Sequence, residues 1–242
     1  MIIEISGPSG VGKTVLIEKL IIKFSECGIP TGAIHSEEMN RSHLIPKYFS
    51  NVDTHNIKTD IYSFPWFILF LISNFRFCYF AILNILTKKA SGSKKLPLIR
   101  SFLRKCGIYR FLKSKKFQKL YVFVDEGIIH SSHNFLCSPN YCADDKAISN
   151  FYDLCPLPDK LIILNASQEI LLKQLNNRGD LSPRVNSSFE LNNFIKHSHT
   201  LFVKLQILYK SKSLVVYRDF KKLEKFDVIS ASFDYITFKE AS

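Results

Sequence analysis

Glycine and proline are sparse, with nine of each in 242 residues. That excludes a collagen-like or low-complexity chain. With 46% hydrophobic and 22% charged residues, the composition also argues against global disorder. No Cys-x-x-Cys pair occurs, and Cys27, Cys78, Cys106, Cys137, Cys142 and Cys155 are scattered, unlike a disulfide framework. The opening MIIEISGPSG lacks the basic region, long apolar region and cleavage site of a secretory signal. The expected compartment is a reducing cytoplasm. Acidic residues are in deficit, 21 against 33 Lys and Arg, for a formal charge of +12. A chain of that charge suits nucleotides, nucleic acid or an anionic membrane face, and the charge alone selects none of them.

The chain shows no internal repeat. Apolar runs predict strands at residues 1–6, 31–35, 121–124, 161–164 and 214–217. Helical spacing predicts helices at 15–24, 168–177 and 189–209, the first ended by Gly28 and Pro30. Residues 37–61 read as polar and irregular, and 227–238 have no clear assignment. Strands alternating with helices point to an α/β fold with a mainly parallel sheet.

The strongest motif is Gly7-Pro8-Ser9-Gly10-Val11-Gly12-Lys13-Thr14, a complete GxxxxGK[ST] between an expected strand and an expected helix. Its glycines let backbone N–H groups turn inward around a phosphate, and the helix N-terminus adds a positive dipole end. Lys13 is placed to reach β- and γ-phosphates, and the Thr14 hydroxyl to bind Mg²⁺.

A phosphate cradle needs an acid near its metal. Tyr121-Val122-Phe123-Val124-Asp125-Glu126-Gly127 supplies a buried strand ending in two carboxylates. Asp125 is the expected Mg²⁺ partner, acting through water. Glu126 is the expected base on an acceptor hydroxyl, or the group that orients a water. Arg178 and Arg184 bracket a loop containing Gly179 and Pro183. They suit a lid over residues 178–186 that neutralises charge on a transferring phosphoryl group.

In this order the parts resemble the P-loop nucleoside and nucleotide kinases, most nearly thymidylate-kinase-like proteins. The resemblance covers residues 1–31 and about 120–217. It implies a single three-layer P-loop NTPase domain over 1–242, with a mainly parallel five-stranded sheet, helices on both faces and a lid. It also implies ATP·Mg as donor to a nucleotide, nucleoside or sugar-like acceptor. Two departures mark a divergent member. Thymidylate kinases show Asp-Arg where this chain has Asp125-Glu126. The loop GPSGVGKT looks like that of guanylate kinases, whose guanine-reading segments are not evident here. The rival function is a regulatory P-loop NTPase or nucleotide-binding switch, associated with a membrane surface, in which Glu126 activates water.

Residues 62–119 form an apolar, then basic, insertion. The apolar part, 64–86, is long enough for a membrane helix. A single pass would separate Lys13 from Asp125 across the bilayer, so the expectation is one helix that is buried, forms a homodimer interface, or lies on an anionic membrane at its inner face. The basic part, 88–119, has no Asp or Glu. Its readings are a solvated helical face, a contact with an anionic membrane surface or phosphorylated substrate, or nucleic acid, which no motif supports. His130, His133, Cys137 and Cys142 are zinc-ligand types at a spacing that matches no zinc motif.

Overall fold

The computed structural model describes residues 1–34, 57–87, 92–178, 185, 187–218 and 227–238. Its centre is β1 (Ile2–Ser6), in which all five residues are buried. A strand covered on both faces by helices must be apolar throughout rather than alternating. The same holds for β3 (Tyr121–Asp125) and β6 (Lys160–Ala166), whose middles are buried throughout. Together with β2 (Thr31–Ile34) and β7 (Leu214–Arg218) they form a five-stranded sheet in the order β2-β3-β1-β6-β7. Every pairing in it is parallel. A separate hairpin pairs β4 (Cys137–Ser138) with β5 (Tyr141–Cys142).

Alternation along the strands sends neighbouring side chains to opposite faces. Phe123 meets Phe24 of α1 (Lys13–Glu26) edge-on, with ring centroids 5.4 Å apart. Ile2, Val122, Val124 and Ile34 instead pack against Ile108, Leu112, Phe117 and Leu120. Each large apolar side chain fully buried in these layers contributes about 1.5–3 kcal/mol. The result is an α/β fold with helices on both faces of a parallel sheet.

The insertion departs from expectation. The segment 64–86 is not one helix but two, α2 (Ile57–Ser73) and α3 (Phe75–Thr87), bent by 110° at the break. Asn74 makes the break. Its N–H and its side-chain amide both donate to Phe70 O, at 2.9 and 3.1 Å, while its own carbonyl receives Cys78 N–H at 3.0 Å to start α3. Residues 57–61, read as irregular, form the first turn of α2, whereas 35–56 lie outside the described residues.

Helix α4 (Gly92–Leu112) carries much of the basic stretch. It is not simply a solvated face, because Arg104 and Lys105 are 4% and 9% exposed. Asp60 of α2 accepts from Arg104 Nε at 2.8 Å and pairs with Arg100 as well. Small buried residues, Thr59 and Ser63, let α4 approach α2 so closely that a Cβ on Gly107 would lie 2.2 Å from Ser63 O.

The chain continues through α5 (Ile128–Phe135), α6 (Asp145–Leu154), α7 (Gln168–Arg178) and α8 (Ser188–Leu208). The unassigned end is α9 (Val228–Thr237), capped by Asp227, whose carboxylate accepts from Ile229 and Ser230 N–H. Among the described residues no helix is long and apolar enough by itself to cross a membrane.

Candidate functional site

In parallel α/β sheets, ligands bind beyond the carboxyl ends of the strands, where the strand order reverses. Here the chain leaves β1 for β2, returns to β3 between them, and then crosses to β6 on the far side of β1. The switch lies between β1 and β3. Their register pairs Ile5 with Asp125, so the loop after Ser6 emerges beside the Asp125 carboxylate.

Gly10 and Gly12 hold φ of 83° and 94° in that loop, a region open to glycine and costly for other residues. Gly12 caps α1 with no side-chain hydrogen bond, and no acid occupies the first turn. Lys13 is buried, and its Nζ curls back to Gly7 O at 3.3 Å and Pro8 O at 3.5 Å. The ammonium therefore sits over the loop. Thr14 Oγ1 donates to Asp125 Oδ2 at 2.9 Å across 111 residues of sequence. Asp125 Oδ1 is buried and has no hydrogen-bond partner. Burial pushes the Asp125 carboxyl above its ordinary range, and the neighbouring Glu126 charge adds to the rise. Lys13, the Thr14 hydroxyl and Lys105 oppose it.

Glu126 turns the chain into α5 with φ of 58°, the only positive φ outside glycine among the described residues. Such a left-handed residue costs on the order of 1 kcal/mol or more and persists only where its surroundings enforce it. Its carboxylate is 45% exposed, 3.8 Å from Lys105 Nζ and 3.5 Å from His130 Nε2. His130 is buried, which holds its pKa well below the usual imidazole value despite the Glu126 charge. It is therefore neutral near pH 7, and its contact with Glu126 is not an ion pair.

Beneath this layer lies Glu4, 1% exposed in the middle of β1. His130 N–H donates to its Oε1 at 2.8 Å. Burial raises its pKa from 4.5 to about 7, against hydrogen bonds from the first turn of α5 and the charge of Lys105. Gly127 permits the approach, since a Cβ there would lie 2.5 Å from Glu4 Oε2.

The fold thus brings together Gly7 to Thr14, Asp125 and Glu126. Arg178 ends α7 with its side chain outside the described residues, and Arg184 also lies outside them, as does most of the 178–186 lid. Three groups at or beneath the site were not anticipated: Glu4, Lys105 and His130 in this role. Glu4 carried a readable signal, a lone carboxylate inside the apolar run IIEIS. Lys105 carried none, being one cation in a long cationic run.

Thr14 and Asp125 suit Mg²⁺, since the unpartnered Oδ1 is a hard oxygen donor beside a hydroxyl. Among the described residues no group of three or more His, Cys, Asp and Glu is placed to hold a metal. Of the zinc-type residues, the His130 and His133 rings meet edge-on with centroids 5.2 Å apart, and Cys137 lies opposite Cys142 in the backbone register of the β4–β5 hairpin. Cys142 Sγ contacts His197 O at 3.8 Å. No protein-family model matches this chain, and no curated protein matches it in sequence.

Proposed function

We propose that this chain is a divergent, thymidylate-kinase-like P-loop phosphotransferase that moves the γ-phosphoryl of ATP to a small nucleotide, nucleoside or sugar-like acceptor. The observation that carries the reading is the Thr14–Asp125 contact at 2.9 Å, with Asp125 Oδ1 buried and unpartnered beside Lys13. A buried carboxylate oxygen without a partner is costly unless a ligand completes it. Thr14 and Asp125 would hold Mg²⁺, and the bound ion would neutralise charge on the β- and γ-oxygens. Lys13 would exchange its contacts with Gly7 and Pro8 carbonyls for phosphate oxygens. Glu126 would accept the proton of an acceptor hydroxyl. Arg178 and Arg184 would close on the transferring group. Positioning and charge stabilisation supply most of the rate in this chemistry.

One observation favours a second reading as a regulatory NTPase. Glu126 follows Asp125 directly, and its carboxylate is 45% exposed, where it would meet a water.

ATP turnover with Mg²⁺, without acceptor and then with a panel of nucleosides, nucleotides and sugars, tests both. ADP release that rises sharply with one acceptor and disappears in Lys13→Ala is the expected result. Brisk release independent of every acceptor would select the NTPase. Turnover unchanged in a folded Lys13→Ala would overturn the nucleotide site itself.

A further inference from the structure

Helices α2 and α3 each have a face that the core does not use. In α2, Thr59, Ser63, Phe67 and Phe70 are buried. On other sides of the same helix, Ile61 and Phe64 are 64% and 56% exposed, and Ile68 and Ile72 follow at helical spacing, also exposed. In α3, Phe77, Cys78, Ala81 and Ile85 are buried, while Phe75, Tyr79, Leu83 and Leu86 are exposed. The steps of three and four make each set a stripe along one helix face. Exposed apolar residues in this number, in one stripe along each of two consecutive helices, mark an interaction surface rather than scattered surface residues.

Charge identifies the partner. From residue 61 to residue 124 the chain has thirteen Lys and Arg and no Asp or Glu. Four of these cations, Arg100, Arg104, Lys105 and Lys113, are taken up by acids elsewhere in the fold and do not count toward a partner. The one acid in the two helices, Asp60, is already paired with Arg100 and Arg104. A second copy of this chain, joined through the same patch by a two-fold axis, would set one acid-free cationic segment against another. A layer of anionic headgroups supplies the missing charge, about 1 kcal/mol for each cation near the surface. The apolar stripe reaches the acyl boundary, and Tyr62 and Tyr79, both exposed, are the amphipathic rings that settle at headgroup level.

We propose that the exposed face of α2 and α3 docks on an anionic membrane surface, lying in the interface rather than crossing it. The 110° bend at Asn74 prevents the pair from forming one straight span. Packing of the opposite faces into the protein keeps both helices on the body of the fold.

The test is flotation of the full chain with vesicles of phosphatidylcholine, with or without about one-third phosphatidylglycerol. The expected result is capture by the anionic vesicles alone, weakened by high salt. An Ile72→Asp/Leu83→Asp double variant should lose about tenfold or more of that partitioning, because each change places an acid in the acyl boundary. Both positions are exposed, so its circular dichroism should match the parent. Failure to float, or floating equally well as the double variant, would overturn the proposal. So would light scattering showing a dimer that the double variant dissociates, which would identify the partner as a second copy.

Discussion

Replacing Glu4 by glutamine tests whether this carboxyl is held in the fold against its own ionisation. Its pKa rises from 4.5 to about 7 because β1 is covered on both sides and leaves it 1% exposed. A group whose folded value is raised contributes its full stability below about 4.5 and loses it as pH climbs through about 7. At about 1.36 kcal/mol for each pH unit, the native state forfeits about 3 kcal/mol between those limits. Glutamine cannot ionise, so the variant lacks that slope. Its side-chain NH₂ cannot accept from the first turn of α5, which adds a pH-independent loss of about 1 kcal/mol. His130 acts in the opposite sense below its ordinary value of 6.5, because the unfolded chain takes up a proton that the buried ring refuses. Both proteins contain His130, so the difference between them removes its effect. Urea unfolding followed by the single tryptophan, Trp66, from about pH 5 to about pH 8 measures the difference. The variant should gain about 2.5 kcal/mol on its parent across that range. A difference that does not change with pH would refute the reasoning.

Two other substitutions probe separate parts of the molecule. Gly107→Val forces a side chain onto Ser63 O, 2.2 Å from the new Cβ, and should cost about 1–3 kcal/mol or more by thermal unfolding, through separation of α2 from α4. Asp125→Asn keeps an acceptor for Thr14 and removes a carboxylate whose charged form burial disfavours. It should leave stability above pH 7 equal or higher, while Mg²⁺-dependent ATP turnover falls about 100-fold or more.

The parallel sheet was legible because strands buried on both faces are short continuous apolar runs. Such runs predicted all five strands, with ends differing by one or two residues where the structure describes them. The glycine-rich loop was legible for a related reason: cradle, lysine and threonine lie within eight residues, and their conformation is set by neighbours in sequence. Elements that close by capping rather than by long periodic runs were missed. Helix α9 starts at Asp227, whose carboxylate accepts from two backbone N–H groups. Helix α6 starts at Asp144, which accepts from Ala147 N–H at 2.7 Å. Each cap is a readable signal, and each of these helices is only ten residues long, below the length at which a periodic run is decisive. Helix α5 spans only eight residues, too few for a helical period to stand out, and is buried along its whole length.

The amino-acid sequence by itself determined the five strands of the parallel sheet, though not the β4–β5 hairpin, together with the glycine-rich loop. It also placed an asparagine where the apolar segment breaks. Tertiary structure alone decided that Asp125 stands beside Thr14, since that depends on the β1–β3 register between segments more than a hundred residues apart. It also decided that Lys105 is buried among so many cations, and that Glu4 is pushed to a pKa of about 7. Propensity and periodicity act over a few residues. Burial and charge proximity are set by whichever distant segments the core brings together, and those two quantities control the chemistry of a site.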